Sequence, residues 1–196
     1  MRLPRVYPIL DTESLERRGI TLEAAAAAFL EGGAGILQIR HKGHWSRAVF
    51  EAARAVARLC AEGGTPLIID DRADFALLLD AGLHVGQDDL APRDARRLLG
   101  RERTIGFSTH SAPQLAAAGG EPVDYVALGP VFGTASKRHP DPAIGGITRE
   151  NARQVWEAGA DSVAVIADLL PGPEEAASAG FLRRRMEEWQ RLLPAA

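Results

Sequence analysis

Short apolar runs alternate with longer amphipathic stretches along nearly the whole chain. The short runs at 6–10, 35–40, 66–70, 83–85, 104–107, 125–128, 143–146 and 162–166 predict strands. The longer stretches at 21–32, 45–62, 72–80, 92–99, 111–119, 148–158 and 174–192 predict helices. No hairpin signal joins successive strands, so the alternation predicts a parallel sheet with crossover helices. Pro66-Leu-Ile-Ile is continuously apolar, the pattern of a strand buried on both faces. Eight strand signals in a βα repeat favour an α/β fold of the (β/α)8 TIM-barrel type over an open doubly wound sheet. Residues 1–196 then form a single domain.

Helix punctuation keeps the same register. Thr21 opens an alanine-rich helix and Gly32-Gly33 closes it. Pro92 suits a first helical turn and Gly100 a helix end, while Ser111 and Thr148 are candidate caps. One connection breaks the rhythm. Between Phe132 and the strand signal at Ala143 lie ten residues, Gly-Thr-Ala-Ser-Lys-Arg-His-Pro-Asp-Pro. A parallel crossover needs a dozen or more residues including a helix, and two prolines without apolar periodicity forbid one here. The expected barrel therefore lacks the helix between strands six and seven. Strand seven is expected to be short or displaced, leaving apolar residues to face water or a second copy in a homo-oligomer.

Composition narrows the setting. With 46% apolar and 25% charged residues the chain is an ordinary globular protein. Twenty-three Lys+Arg against 26 Asp+Glu give a net charge of −3, which offers nucleic acid no basic surface. Cys60 is the only cysteine, so neither an internal disulfide nor a cysteine-cluster zinc site is available. The longest apolar run, 24–30, is too short for a membrane span, and residues 1–11 lack a signal-peptide core. The expected location is the cytoplasm.

The notable polar residues collect just after the strand signals: Arg40 and Lys42, Asp70 and Asp71, Asp88 and Asp89, Ser108 and His110, then Thr134, Ser136 and Lys137, and finally Gly145-Gly146. In a βα barrel these strand ends converge on the active-site face. Two acidic pairs on neighbouring strands suit one magnesium ion, which takes a few carboxylates, waters and substrate phosphate oxygens. Arg40, Lys42 and Lys137 would neutralise the remaining phosphate charge. Gly145-Gly146 leading into a cap at Thr148 offers a second anion site. Plainer readings stand beside these. Asp70 and Asp71 equally suit a cap for helix 72–80, Asp88-Asp89 a turn, and Gly145-Gly146 a turn. His110 reads as a hydrogen-bonded loop residue, and His41, His44, His84 and His139 as structural or exposed. Trp45, Trp156 and Trp189 fall on helical patterns as packing residues, and Arg183-Arg-Arg reads as a solvated face.

Taken together, several segments resemble the thiamine phosphate synthase family. They are Leu37-Gln-Ile-Arg-His-Lys42, Ile68-Ile-Asp-Asp-Arg-Ala-Asp74, Leu83-His-Val-Gly-Gln-Asp-Asp89 and Gly106-Phe-Ser-Thr-His-Ser111. Asp124-Tyr-Val-Ala-Leu-Gly-Pro-Val-Phe-Gly-Thr-Ala-Ser-Lys137, Ala143-Ile-Gly-Gly-Ile-Thr148 and Gly159-Ala-Asp-Ser-Val-Ala-Val-Ile166 follow in the family's order. The resemblance implies a barrel enzyme that joins hydroxymethylpyrimidine diphosphate to thiazole phosphate by a dissociative, magnesium-assisted reaction. It implies that Asp71 and Asp89 bind magnesium and that Gln38, Arg40, Lys42 and Lys137 hold the diphosphate. Ser108 would lie against the pyrimidine, with Arg40, Lys42, Ser108 and Lys137 catalytic. Thr134, Ser136 and Gly146 would meet the thiazole phosphate.

Three departures accompany it. Asp70 stands where the family usually has asparagine, which puts a further carboxylate beside the diphosphate. Ala167-Asp168 replaces a phosphate-holding serine, and a helix with the start of a strand is absent between Pro142 and Ala143. The alternatives are a thiazole tautomerase of the sister family, using a histidine near His110, and a non-catalytic thiamine-precursor binding protein. Retention of the cationic and acidic set argues against the tautomerase.

Overall fold

Strands with apolar side chains on both faces need cover on both faces, and the segments between them are long enough to supply helices. The computed structural model describes residues 2–132 and 146–192. In chain order these form β1 (Val6–Asp11), α1 (Thr12–Glu16), α2 (Leu22–Glu31), β2 (Leu37–Arg40), α3 (Arg47–Glu62), β3 (Leu67–Asp70) and α4 (Ala73–Leu78). Then come β4 (Gly82–Val85), α5 (Pro92–Leu99), β5 (Ile105–Thr109), α6 (Ala112–Ala118), β6 (Tyr125–Leu128), α7 (Ala152–Glu157), β7 (Val163–Val165) and α8 (Ala179–Arg191). Strands alternate with helices and pair in parallel, the α/β TIM-barrel class that the pattern predicts.

The residues divide into two compact units, Ile68–Gly146 and a second made of Arg2–Leu67 with the chain from Ile147 onward. In the second unit β1 lies between β2 and β7, with Asp11 opposite Arg40 and Val6 opposite Val163. Its core holds Phe29, Leu10, Ile36, Leu37 and Ile39, none more than 1% exposed, together with Met186 and Trp189 from α8. Helix α2 starts at Thr21, whose hydroxyl accepts from the Ala24 N–H, and α3 starts at Ser46, which accepts from Val49. In the other unit the strand order is β3-β4-β5-β6. Ile68, Ile69, Leu83 and Ile105 are fully buried there, as strands covered on both faces require. Pro92 occupies the first turn of α5, Gly100 ends it at φ 77°, and Ser111 caps α6.

Four expectations change. Helix α1 was not predicted; it follows because the Asp11 carboxylate caps it directly at the end of β1. The helix expected over 148–158 begins only at Ala152, because Thr148 does not cap it. Instead the Thr148 N–H donates to the Asn151 side chain, 2.8 Å away, closing a turn before the helix. Trp45 packs, but ahead of α3 rather than within it. Arg185 is no solvated residue. Its side chain is 14% exposed, donates to the Asp168 carbonyl at 2.9 Å and lies over Phe181. The strand expected at 143–146 lies outside the described residues except for Gly146, which is in no strand.

Candidate active site

Strand ends gather charge because the last residue of a buried strand is the first that can reach solvent. At the end of β2, the Arg40 guanidinium donates to Asp11 Oδ1 at 2.7 Å across the β1–β2 register. The other Asp11 oxygen accepts from the Ser14 N–H at 3.1 Å and its hydroxyl at 2.6 Å. Burial pushes the Asp11 carboxyl up, but the Ser14 hydroxyl and Arg40 outweigh it and hold it below the ordinary carboxylate value. Arg40 is thus a fixed cation rather than a flexible one. Gln38, two residues earlier and so on the same strand face, is buried, while Lys42 is exposed beyond the strand. His41 donates from Nε2 to the His44 carbonyl at 3.1 Å, and its Nδ1 lies 2.7 Å from the Thr12 hydroxyl.

Elsewhere in that unit, Asp168 is neutralised by its surroundings. Arg149 donates to its carboxylate at 2.9 Å and also pairs with Glu188. Burial raises the Asp168 carboxyl, against the pull of Arg149. Arg149 in turn holds its charge more firmly than usual: burial opposes it, but Asp168 and Glu188 prevail.

The acidic residues belong to the unit formed by Ile68–Gly146. Asp70 ends β3 and is buried. Asp71 follows with φ 63°, and its N–H donates to the His84 carbonyl at 2.8 Å. Arg72, rather than Asp70 or Asp71, occupies the N-cap position of α4, and its side chain makes no capping bond. A left-handed conformation is uncommon outside glycine, and aspartate is one of the residues that adopt it most readily. Asp89 does serve its turn: Oδ2 accepts from the Gly86 N–H at 2.7 Å.

Among the described residues no three His, Cys, Asp or Glu side chains gather as a metal cage. A magnesium ion uses one or two carboxylates and completes its shell with water and phosphate oxygens. Asp71 and Asp89, hard oxygen donors at the ends of neighbouring strands β3 and β4, fit that donor set.

Ser108 is buried near the end of β5. Its hydroxyl lies 2.7 Å from His84 Nε2, and its carbonyl accepts from the Gln87 amide at 2.6 Å. His84 Nδ1 in turn lies 3.0 Å from the Tyr125 hydroxyl. The sequence reading of His84 as structural misses this link to Ser108; only the strand register reveals it. His110 is held as a loop residue, with Nδ1 donating to the Gly129 carbonyl at 2.9 Å and its N–H donating to Gln114. Gly146 has φ 72°, a turn conformation that suits glycine. The helix beyond it starts later than expected and has only six residues, which weakens the anion site read from a Thr148 cap. Thr134, Ser136 and Lys137 lie outside the described residues.

Comparison with known proteins identifies relatives of this chain. The family model described as thiamine monophosphate synthase matches residues 6–143. A thiamine-phosphate synthase of Koribacter versatilis is 44% identical over 200 residues, covering 91% of this chain and 94% of its own. One from Shouchella clausii is 38% identical over 204 residues, with 94% and 97% covered. Among solved structures, the thiamine phosphate pyrophosphorylase of Pyrococcus furiosus superposes with a TM-score of 0.77 at 28% identity. It covers 96% of this chain and 94% of its own.

Proposed function

Because the chain belongs to the thiamine monophosphate synthase family, we propose that it joins hydroxymethylpyrimidine diphosphate to thiazole phosphate, giving thiamine phosphate and diphosphate. The observation that carries this reading is 44% identity to a thiamine-phosphate synthase along nearly its whole length. Retention of Arg40, Lys42, Asp71, Asp89 and Lys137 supports it over a tautomerase, which has no leaving diphosphate to neutralise.

The chemistry follows from charge. When the diphosphate departs, negative charge grows on its oxygens while a pyrimidine cation forms, so the enzyme must stabilise a leaving group more than abstract a proton. Arg40 meets the first need: its pairing with Asp11 fixes its direction before substrate arrives, and a preorganised donor needs no reorganisation in the transition state. Gln38, Lys42 and Lys137 complete the diphosphate contacts. Magnesium, when bound by Asp71 and Asp89, supplies Lewis-acid stabilisation of the leaving diphosphate. Asp70, with its added negative charge, faces that same diphosphate. Ser108 orients the pyrimidine, and Thr134, Ser136 and Gly146 hold the phosphorylated thiazole until its nitrogen captures the cation.

No helix among the described residues is long and apolar enough to cross a membrane, and small substrates of this kind suit a cytoplasmic enzyme. Incubating the chain with both phosphorylated precursors, with and without magnesium, tests the reading. Magnesium-dependent thiamine phosphate formation is expected. Tautomerisation alone, or binding without turnover, would replace the synthase reading with one of its two rivals.

A further inference from the structure

Tyr125 and His84 stand on strands β6 and β4, with β5 between them. The register aligns His84 with Gly106 and Gly106 with Tyr125, so the three residues form one row across the sheet. Two strand spacings separate the outer members by about 10 Å, too far for side chains that must pass over a third. The third has no side chain. A Cβ on Gly106 would lie 2.1 Å from the Tyr125 ring and 2.4 Å from its hydroxyl. The phenol therefore crosses β5 through the space the glycine leaves and comes within 3.0 Å of His84 Nδ1. The two rings overlap with centroids 5.6 Å apart and 29° between planes. Two residues beyond Gly106, on the same strand face, Ser108 completes the chain at 2.7 Å from His84 Nε2.

We propose that Tyr125 and His84 are positioning residues for the Ser108 hydroxyl, and that Gly106 is the opening through which the phenol reaches them. This rests on the reading that Ser108 contacts the pyrimidine. A neutral imidazole carries one N–H, so the exchange at Nδ1 dictates the exchange at Nε2. If the phenol donates to Nδ1, Nε2 donates to Ser108. If the phenol accepts, Ser108 donates. In the first case the serine accepts and keeps its proton to donate to the pyrimidine, and in the second its proton is committed to Nε2 and its oxygen can only accept, so either way it meets the pyrimidine with one polarity. His84 is 8% and Ser108 6% exposed, so bulk water does not compete for these bonds. In this role the pair acts through Ser108 rather than on a reacting atom. Its effect is to remove the wrong hydroxyl orientations before the cation forms.

The test is a double-mutant cycle on the coupling reaction. Tyr125→Phe keeps the ring and removes only the hydroxyl, and it should lower kcat about 5-fold, the rate equivalent of one neutral hydrogen bond. The thiazole phosphate KM should stay unchanged. In a Ser108→Ala background the same change should have no further effect, because the group it positions is gone. His84→Gln, whose amide still reaches Ser108, should retain more activity than His84→Ala. Gly106→Ala should reproduce the Tyr125→Phe loss if it folds, and Tyr125→Phe decides the matter if it does not. Full additivity of Tyr125→Phe and Ser108→Ala would overturn the positioning role while leaving Ser108 on the pyrimidine. Unchanged kinetics in Ser108→Ala alone would remove the pyrimidine contact itself, and the positioning role with it.

Discussion

An aspartate at φ 63° and a carboxylate spanned by an arginine and a helix cap impose opposite experimental logic. At Asp71 the backbone tolerates asparagine, which shares the aspartate's ease in the left-handed region. Asp71→Asn should therefore melt like the parent while losing about 100-fold in kcat/KM, the scale of a lost electrostatic contact in a transition state. Titrating magnesium in the coupling assay checks it, and an unaltered magnesium requirement would move the metal to other residues. Asp11 is structural and electrostatic at once. Removing its charge by Asp11→Asn should cost about 2 kcal/mol at neutral pH, the scale of hydrogen bonds to a charged group. Its folded pKa lies below the unfolded one, so this stability is fully present above the ordinary carboxyl value. It fades as pH falls through the lower folded value. Melting curves of parent and variant should converge in that acid range, whereas a constant gap down to the lowest pH would show that the Asp11 charge contributes nothing.

At the scale of elements, burial decides what the chain reveals of itself. Strands such as Leu67–Asp70 stand out because both faces are covered and the run is wholly apolar or ends in a charge. Helices with clear punctuation stand out for the same local reason, α2 and α6 by a capping hydroxyl and α5 by Pro92 in its first turn and Gly100 at its end. Helix α1 does not, since five residues with one buried leucine have no period to read. The charges at Arg40, Asp71 and Asp89 are visible as residue types after strands, but the His84–Ser108–Tyr125 chain is not. Its members are far apart in sequence and meet only through registers across three strands. Packing between helices shows a similar blindness. Gly32 ends α2 with an ordinary φ of −78°, so its small size looks like a cap preference. In fact a Cβ there would lie 2.6 Å from Met186 Cβ and 2.8 Å from the Arg183 carbonyl of α8. Gly32→Ala should force the two helices apart and destabilise the fold by about 2 kcal/mol, the usual scale of overpacking. Its magnesium dependence should be that of the parent. A thermal melt within a degree of the parent's would show that α8 yields without loss.

On the scale of the molecule, the relatives align over more positions than this chain supplies. The Shouchella clausii alignment runs over 204 residues yet takes in 94% of a chain of 196, so that relative has positions with no counterpart here. The family match ends at residue 143, beside the ten residues between strand signals where the sequence predicts no helical crossover. A shortened link bears first on whatever follows it, and of the residues proposed for the thiazole phosphate Gly146 follows directly. Arg40, Asp71 and Asp89 precede it. The two substrates should therefore differ in their response when the missing length is restored. Inserting the corresponding segment of the Koribacter versatilis relative between Pro142 and Ala143 should lower the thiazole phosphate KM about 10-fold, roughly the worth of one charge-assisted hydrogen bond. The affinity for pyrimidine diphosphate with magnesium, measured by calorimetry on the same two proteins, should change by less than a factor of two, about the scatter expected for distant, independent sites. An equal gain for both substrates would mean that the crossover supports the whole fold rather than one end of it. No gain for either would mean that the short link already delivers Gly146 to its place.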